Sequence, residues 1–402
     1  MTRPVHILSK RNLHLAWKES RDSSANAGAR GTDGVCASSF AANLDQNIAN
    51  LRNEILDDRY GFSSLRGVKL AKSNGSFRLI CVPTVRDRLV QRTVLRHLNT
   101  SSILPQYPAS AFGFVPNRGV AAAVTEVTRL RAQYPWTFET DIQGFFDNID
   151  RNRLAAEVDK LFKRSSLHSL MSKVIHCEVK ETSSLTLKSF GMVRNRGIRQ
   201  GMPLSPILSN IALRRFDAAL TKHGLVGVRY VDDLVLFAES RIRALEAGRI
   251  VRELLAVEGL TIPDYGENSK TRISSRGDPV DFLGWSIRFQ SKKNEFALFV
   301  SDRKLSAIKS RFTEQANFKK QSEEGKDLTQ TLLQLSQMAN AYLNTYKDAE
   351  NHNAVRQTVT ESLSQSKDLL IKDVFGQHIL DSLTPRKRQF IGLNIVSKEN
   401  AF

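Results

Sequence analysis

Apolar residues recur at helical spacing between positions 40 and 56, where Phe40, Leu44, Ile48, Leu51 and Ile55 share one face before Gly61 interrupts the pattern. That spacing predicts a docking helix. A short helix is expected over about residues 6–19, and the stretch 19–39, rich in Ser, Ala, Gly, Asp and Arg with almost no large apolar residue, reads as a loop or disordered link. Two extended segments, 67–71 and 77–82, flank Lys72-Ser73-Asn74-Gly75-Ser76, whose Asn-Gly pair signals a hairpin. A helix over 87–98 follows. Residues 137–142 read as a strand, and 226–231 with 234–238 as a hairpin. Residues 241–258 then read as a helix with Ile242, Leu245, Ile250, Leu254 and Leu255 on its apolar side. Beyond about 301 the pattern turns helical throughout: Leu305, Ile308 and Phe312, then 328–346, then 355–374, form a separate helical module. The fold class predicted is α+β.

Composition sharpens this outline. The 402 residues, 41% of them hydrophobic, are enough for a large core and two or three domains. Lys and Arg number 59 against 41 Asp and Glu, a formal charge of +18 that favours a polyanionic partner, nucleic acid first. Cys36, Cys81 and Cys177 are far apart and form no C-x-x-C pair, so neither a disulfide framework nor a structural zinc site is expected. No apolar run approaches the roughly 18 to 20 residues of a membrane span, and residues 1–10 lack a signal-peptide core. A reducing cytoplasm and no membrane partner are the expectations.

The chemistry concentrates at Tyr230-Val231-Asp232-Asp233, where adjacent carboxylates sit at the tip of an otherwise apolar hairpin. Turn chemistry accounts for one Asp, but two neighbouring anions repel and gain most from a shared cation. A third carboxylate, Asp141, ends the strand over 137–142. If the strands are neighbours, the three make an all-oxygen site for two Mg²⁺ ions about 3.5 to 4 Å apart, which activate an attacking 3′-hydroxyl and stabilise leaving pyrophosphate. Asp147 and Asp150 compete for the third place, yet each suits a helix cap or first turn better.

These residues fall in a longer series. Tyr230-Val231-Asp232-Asp233 resembles the Y-x-D-D box of reverse transcriptases, and Asp141-Ile142-x-x-Phe145-Phe146 their first catalytic motif. Between them, Arg199-Gln200-Gly201-Met202-Pro203-Leu204-Ser205-Pro206-Ile207-Leu208-Ser209-Asn210 is similar to a box of the group II intron and retron branch. Upstream Arg78 to Gln91 and Ala111-Phe112-Gly113-Phe114, and downstream Leu260-Thr261-Ile262, Lys270-Thr271 and Phe282-Leu283-Gly284-Trp285, continue the same order.

The resemblance implies a right-hand polymerase: an N-terminal extension over 1–59, fingers over 60–137, a palm over 138–298 with a fingers-like insertion at about 151–195, and a helical thumb over 299–402. It implies RNA-directed DNA synthesis with Asp141, Asp232, Asp233 and the Ile142 carbonyl on two Mg²⁺ ions, Mn²⁺ being an alternative. Arg78 would grip the triphosphate, with Lys72 or Lys69 as helper. Gln200 would line the nucleotide site. Phe146 resembles the steric gate that fills the space of a ribose 2′-hydroxyl, Lys270 a lysine that protonates pyrophosphate, and Leu283-Gly284 the primer grip. The implied partners are template RNA, deoxynucleotide triphosphates and a cDNA product. The absence of a His/Cys cluster after the helical module and of a retron Val-Thr-Gly motif leads us to expect a compact defence-associated enzyme copying a dedicated non-coding RNA against phage. The alternatives are a retron or group II intron enzyme, and a maturase-like RNA-binding protein with an incidental polymerase site.

Overall fold

The computed structural model describes residues 4, 6–21, 29–71, 77–183, 185–266, 269–323 and 325–390. Two compact units emerge, Met1–Ser275 and Arg276–Phe402.

The first unit is a mixed α/β body with two antiparallel sheets. Strands β1 (Arg66–Ala71) and β2 (Phe77–Val82) pair from Arg66↔Val82 to Ala71↔Phe77. The Asn74-Gly75 turn and Lys72 lie outside the described residues. The larger sheet combines β3 (Trp136–Asp141), β4 (Val226–Tyr230), β5 (Asp233–Ala238) and β6 (Arg272–Ser274) in the order β4-β5-β3-β6. Phe138, Leu234 and Leu236 on one face of the sheet and Val228 and Val235 on the other are nearly solvent-free, while the carboxylates collect at one end of the sheet. Residues 178–180 dock on Leu65 through two backbone bonds of 2.8 Å, tying the region expected as an insertion to the β1–β2 hairpin.

Helix Val85–Thr100 is capped by Thr84, whose hydroxyl accepts from the Asp87 amide. Asp87 is itself buried, accepting from Tyr60 Oη at 2.7 Å and the Ser63 amide at 2.9 Å.

Two expectations need correction. The N-terminal helix spans Lys10–Arg21 and buries Leu13, Ala16 and Trp17, with the Trp17 ring 5.3 Å from Phe40. Residues 29–36, in the stretch read as a loop or disordered link, are loop as read and are also docked: Ala29 accepts from Arg88, Arg30 from Arg66, and a Cβ on Gly31 would stand 2.5 Å from the Thr84 backbone. Small and polar residues serve here because the chain runs close to another backbone.

The second correction concerns helix Arg241–Val257. Its buried face is Ala244, Ala247, Gly248, Val251 and Leu255, whereas Ile242 is 77% exposed and Leu245 is also exposed. Close approach decides this. A Cβ on Gly248 would lie 2.7 Å from the Phe138 ring, so Ala244, Ala247 and Gly248 sit against the sheet while Ile242 and Leu245 are turned outward.

The second unit holds an antiparallel sheet of β7 (Val280–Phe282), β8 (Trp285–Gln290) and β9 (Glu295–Val300), with helices Asp302–Gln315, Leu328–Thr345 and His352–Phe375. Asn351 exchanges hydrogen bonds of 2.9 and 3.0 Å with Val300, and Trp285 packs edge-on against Tyr346. This sheet and the C-terminal helices fall within the same compact unit.

Gly248→Leu should lower stability by about 1–3 kcal/mol, through overpacking against Phe138, whereas Ile242→Ser should stay within about 0.5 kcal/mol of the parent. Urea unfolding midpoints of the two variants check the assigned helix face.

Candidate active site

Strands β3 and β5 are paired so that Asp141 lies opposite Asp233, and the Ile142 amide donates to the Asp232 carbonyl at 2.9 Å. The next residue, Gln143, is fixed by its amide to the Thr261 carbonyl and by its side chain to the Thr261 hydroxyl. The sheet thus brings Asp141, Asp232 and Asp233 together at one end. Asp150 instead caps helix Arg151–Phe162, accepting from Asn152 and Arg153, and Asp147 sits in the first turn of helix Phe145–Asn148.

The turn carrying the aspartates is strained. Val231 adopts φ +62°, a left-handed conformation that β-branched residues rarely accept and that costs on the order of 1–3 kcal/mol. A buried polar network holds it. Arg229, 1% exposed, donates to both Asp217 carboxylate oxygens at 2.7 and 2.5 Å, to Asn210 Oδ1 at 3.3 Å, and to the Val231 carbonyl at 3.1 Å. Asn210 in turn donates to the Gly113 carbonyl at 3.0 Å, and a Cβ on Gly113 would collide with the Val231 amide nitrogen. Residues 110–112 run beside β4, with Phe112 donating to the Arg229 carbonyl. This network was not assigned from sequence. Asn210 and Gly113 lie within the quoted motifs, but the partner that joins them is far away in the chain.

Electrostatics follow from crowding. Burial, the largest effect, and the charges of Asp232 and Asp141 push the Asp233 carboxyl up to about 6. Burial likewise raises Asp232, which Asp141 reinforces and the cations Lys270 and Arg78 oppose. The Lys270 ammonium lies 2.7 Å from Asp141 Oδ2 and 3.7 Å from Asp233 Oδ1. Burial works against its charge, yet the hydrogen bond to Asp141 and the surrounding carboxylates prevail and raise its pKa. Among the described residues no three acidic side chains close on one point tightly enough to cage an ion. The donor set is nevertheless all carboxylate oxygen, suited to a hard divalent cation, and Lys270 is the basic side chain in contact with it.

Arg78 is exposed on β2, and its charge reaches Asp232. The Cys81 amide donates to the Gln200 carbonyl at 2.7 Å, linking the Arg78 strand to the Gln200 loop. Gly201, at φ +109°, must be glycine, because a Cβ would stand 2.5 Å from the Cys81 carbonyl oxygen. Phe145 is buried in the core. Phe146 packs edge-on against it, centroids 5.5 Å apart, and keeps part of its ring exposed, while its carbonyl accepts from Ile198. Lys69 lies over the Phe190 ring at 5.8 Å. Leu283 and Gly284, at φ +53° and +87°, form the β7–β8 turn of the second unit.

One further feature was missed in the sequence. Arg88 and Arg92, one helical turn apart, line a cavity of about 420 Å³ with Ile80, Val82, Gly201 and Pro203. Burial lowers both guanidinium pKa values, and at Arg88 the charge of Arg92 adds to the effect. The i,i+4 spacing was the available signal.

Arg229→Met should cost about 3–5 kcal/mol, because Asp217 is left charged and buried without a partner, and adding Asp217→Leu should recover most of that loss. Chemical denaturation of the two variants measures this.

Residues 70–287 match the reverse transcriptase (RNA-dependent DNA polymerase) family. Protein YkfC of Escherichia coli is 30% identical over 217 residues, covering 51% of this chain and 53% of that protein. The group II intron-encoded protein LtrA of Lactococcus lactis is 27% identical over 217 residues, covering 54% of this chain and 35% of LtrA. The alignments thus take in about half of YkfC and a third of LtrA. With more than half of its residues inside the family match, and with the carboxylates of its motifs assembled at one end of a single sheet, the chain belongs to the reverse transcriptase family.

Proposed function

We propose that this protein is an RNA-directed DNA polymerase that joins deoxynucleotides by two-metal nucleotidyl transfer. The observation that carries this reading is the convergence of Asp141, Asp232 and Asp233 at one sheet end, with Arg78, Gln200 and the half-exposed Phe146 on elements tied to it. In this reading β1–β2 and helix Val85–Thr100 belong to the fingers, the four-stranded sheet is the palm, and the C-terminal helices form the thumb.

Bound Mg²⁺ ions would supply Lewis-acid activation of the primer hydroxyl and neutralise charge on the leaving pyrophosphate. Asp141, Asp232, Asp233 and the Ile142 carbonyl would hold them. Arg78 binds the triphosphate by charge-assisted hydrogen bonds. Gln200 borders the nucleotide with its backbone fixed by Cys81. Phe146, backed by Phe145, keeps a rigid ring where a 2′-hydroxyl would sit. The cavity with Arg88 and Arg92 suits the polyanionic template strand, and the +18 charge suits backbone tracking with strong salt dependence.

Purified protein given a primed RNA template, Mg²⁺ and deoxynucleotides should extend the primer, and Asp232→Ala should abolish extension with no loss of thermal stability. Tight RNA binding without extension by the parent would favour a maturase-like binding role instead. Phe146→Ala should raise ribonucleotide incorporation by at least about tenfold, the ratio expected for roughly 1.4 kcal/mol of lost discrimination. Unchanged sugar selectivity in single-nucleotide assays would place the gate elsewhere.

As the biological setting we propose the copying of a dedicated non-coding RNA in antiphage defence; the motif series itself resembles the wider group II intron and retron branch. Sequencing the copurified nucleic acid tests it: one repeated RNA species with complementary DNA supports the reading, and random RNA removes it.

A further inference from the structure

We propose that Lys270 is a resident counter-cation, holding the space between Asp141 and Asp233 in the free protein and withdrawing before a divalent ion enters. The inference rests on the metal-dependent reading above and extends it to the control of metal affinity. The ammonium is in hydrogen-bond contact with one carboxylate at 2.7 Å and within ion-pair range of the other at 3.7 Å. An ion with oxygen ligands at about 2.0–2.1 Å from both groups would need the same volume, and two like charges cannot share it.

The surroundings allow the exchange. Next in the chain, Thr271 shares a hydrogen bond of 2.7 Å with Thr140, and Arg272 is pinned to Glu139 at 2.6 Å. The backbone at the foot of Lys270 is therefore anchored to β3. The side chain is 54% exposed, so its flexible stem has a path to solvent without any movement of the sheet. Neither neighbouring arginine can substitute: Arg272 is committed to Glu139, and Arg78 has no hydrogen bond to the carboxylates among the described residues. Lys270 is thus a positioning residue for the free state, offsetting the repulsion between Asp141 and Asp233 until metal replaces it.

The test uses the full chain without nucleic acid, titrated with Mn²⁺ followed by electron paramagnetic resonance, and thermal unfolding in chelator. Lys270→Gln should melt below the parent in chelator and should half-saturate at about tenfold lower Mn²⁺, since competition is gone. Lys270→Arg should keep parental affinity or bind more weakly, and Arg78→Gln, which removes an equal charge that is not in contact, should shift affinity much less. If Lys270→Gln leaves half-saturation unchanged while Asp232→Ala still abolishes Mn²⁺ binding, the metal site stands and the counter-cation role is overturned. An equal gain in Arg78→Gln would also overturn it, because the effect would then be a general field. If Asp232→Ala binds Mn²⁺ like the parent, the metal reading fails and this inference falls with it.

Discussion

Two carboxylates that repel each other are held at the tip of a two-residue turn because a buried guanidinium grips the turn from behind. Arg229 reaches the Val231 carbonyl directly and is itself locked by Asp217 and Asn210. An ion pair this buried adds little net stability against an apolar replacement. Its value here is geometric, since Val231 at φ +62° would relax if the hairpin were free. The Gly113 backbone closes the other side, so turn, loop and helices Ser205–Ala212 and Arg214–Lys222 behave as one support.

From that support the remaining parts of the site are placed by backbone hydrogen bonds, which are short-range and directional. Ile142 to Asp232 sets the first carboxylate against the pair, Gln143 to Thr261 fixes the strand exit, and Cys81 to Gln200 joins the β1–β2 hairpin to the loop bearing Gly201. Lys270 and Arg78 are long side chains, one half exposed and the other on an exposed strand position, while Arg229, Asp217 and Asn210 are buried. Buried frame and exposed cations are therefore assigned to different residues.

Charge follows the same division. A chain with a formal charge of +18 gathers three acids in one place, and the cost shows in Asp233, whose carboxyl is pushed up to about 6. Lys270 offsets part of it. Arg88 and Arg92, held together in a walled cavity, are the opposite case: like charges whose natural complement is an anion.

The mixed α/β class and the strand and hairpin that carry Asp141, Asp232 and Asp233 were legible in the sequence by itself, because short apolar β-forming runs and acidic residues set among them are local signals. Asp150 as a cap was legible for the same reason, its partners being two and three residues away. Tertiary structure alone decided which face of helix Arg241–Val257 is buried, because the fit of Gly248 against Phe138 outweighs the hydrophobicity of Ile242. It also decided that residues 29–36 are docked, that β7–β9 shares a compact unit with the C-terminal helices, and that Arg229, Asp217, Asn210 and Gly113 meet. Close approach and buried ion pairing join residues distant in the chain, and local periodicity holds no record of who the partner is.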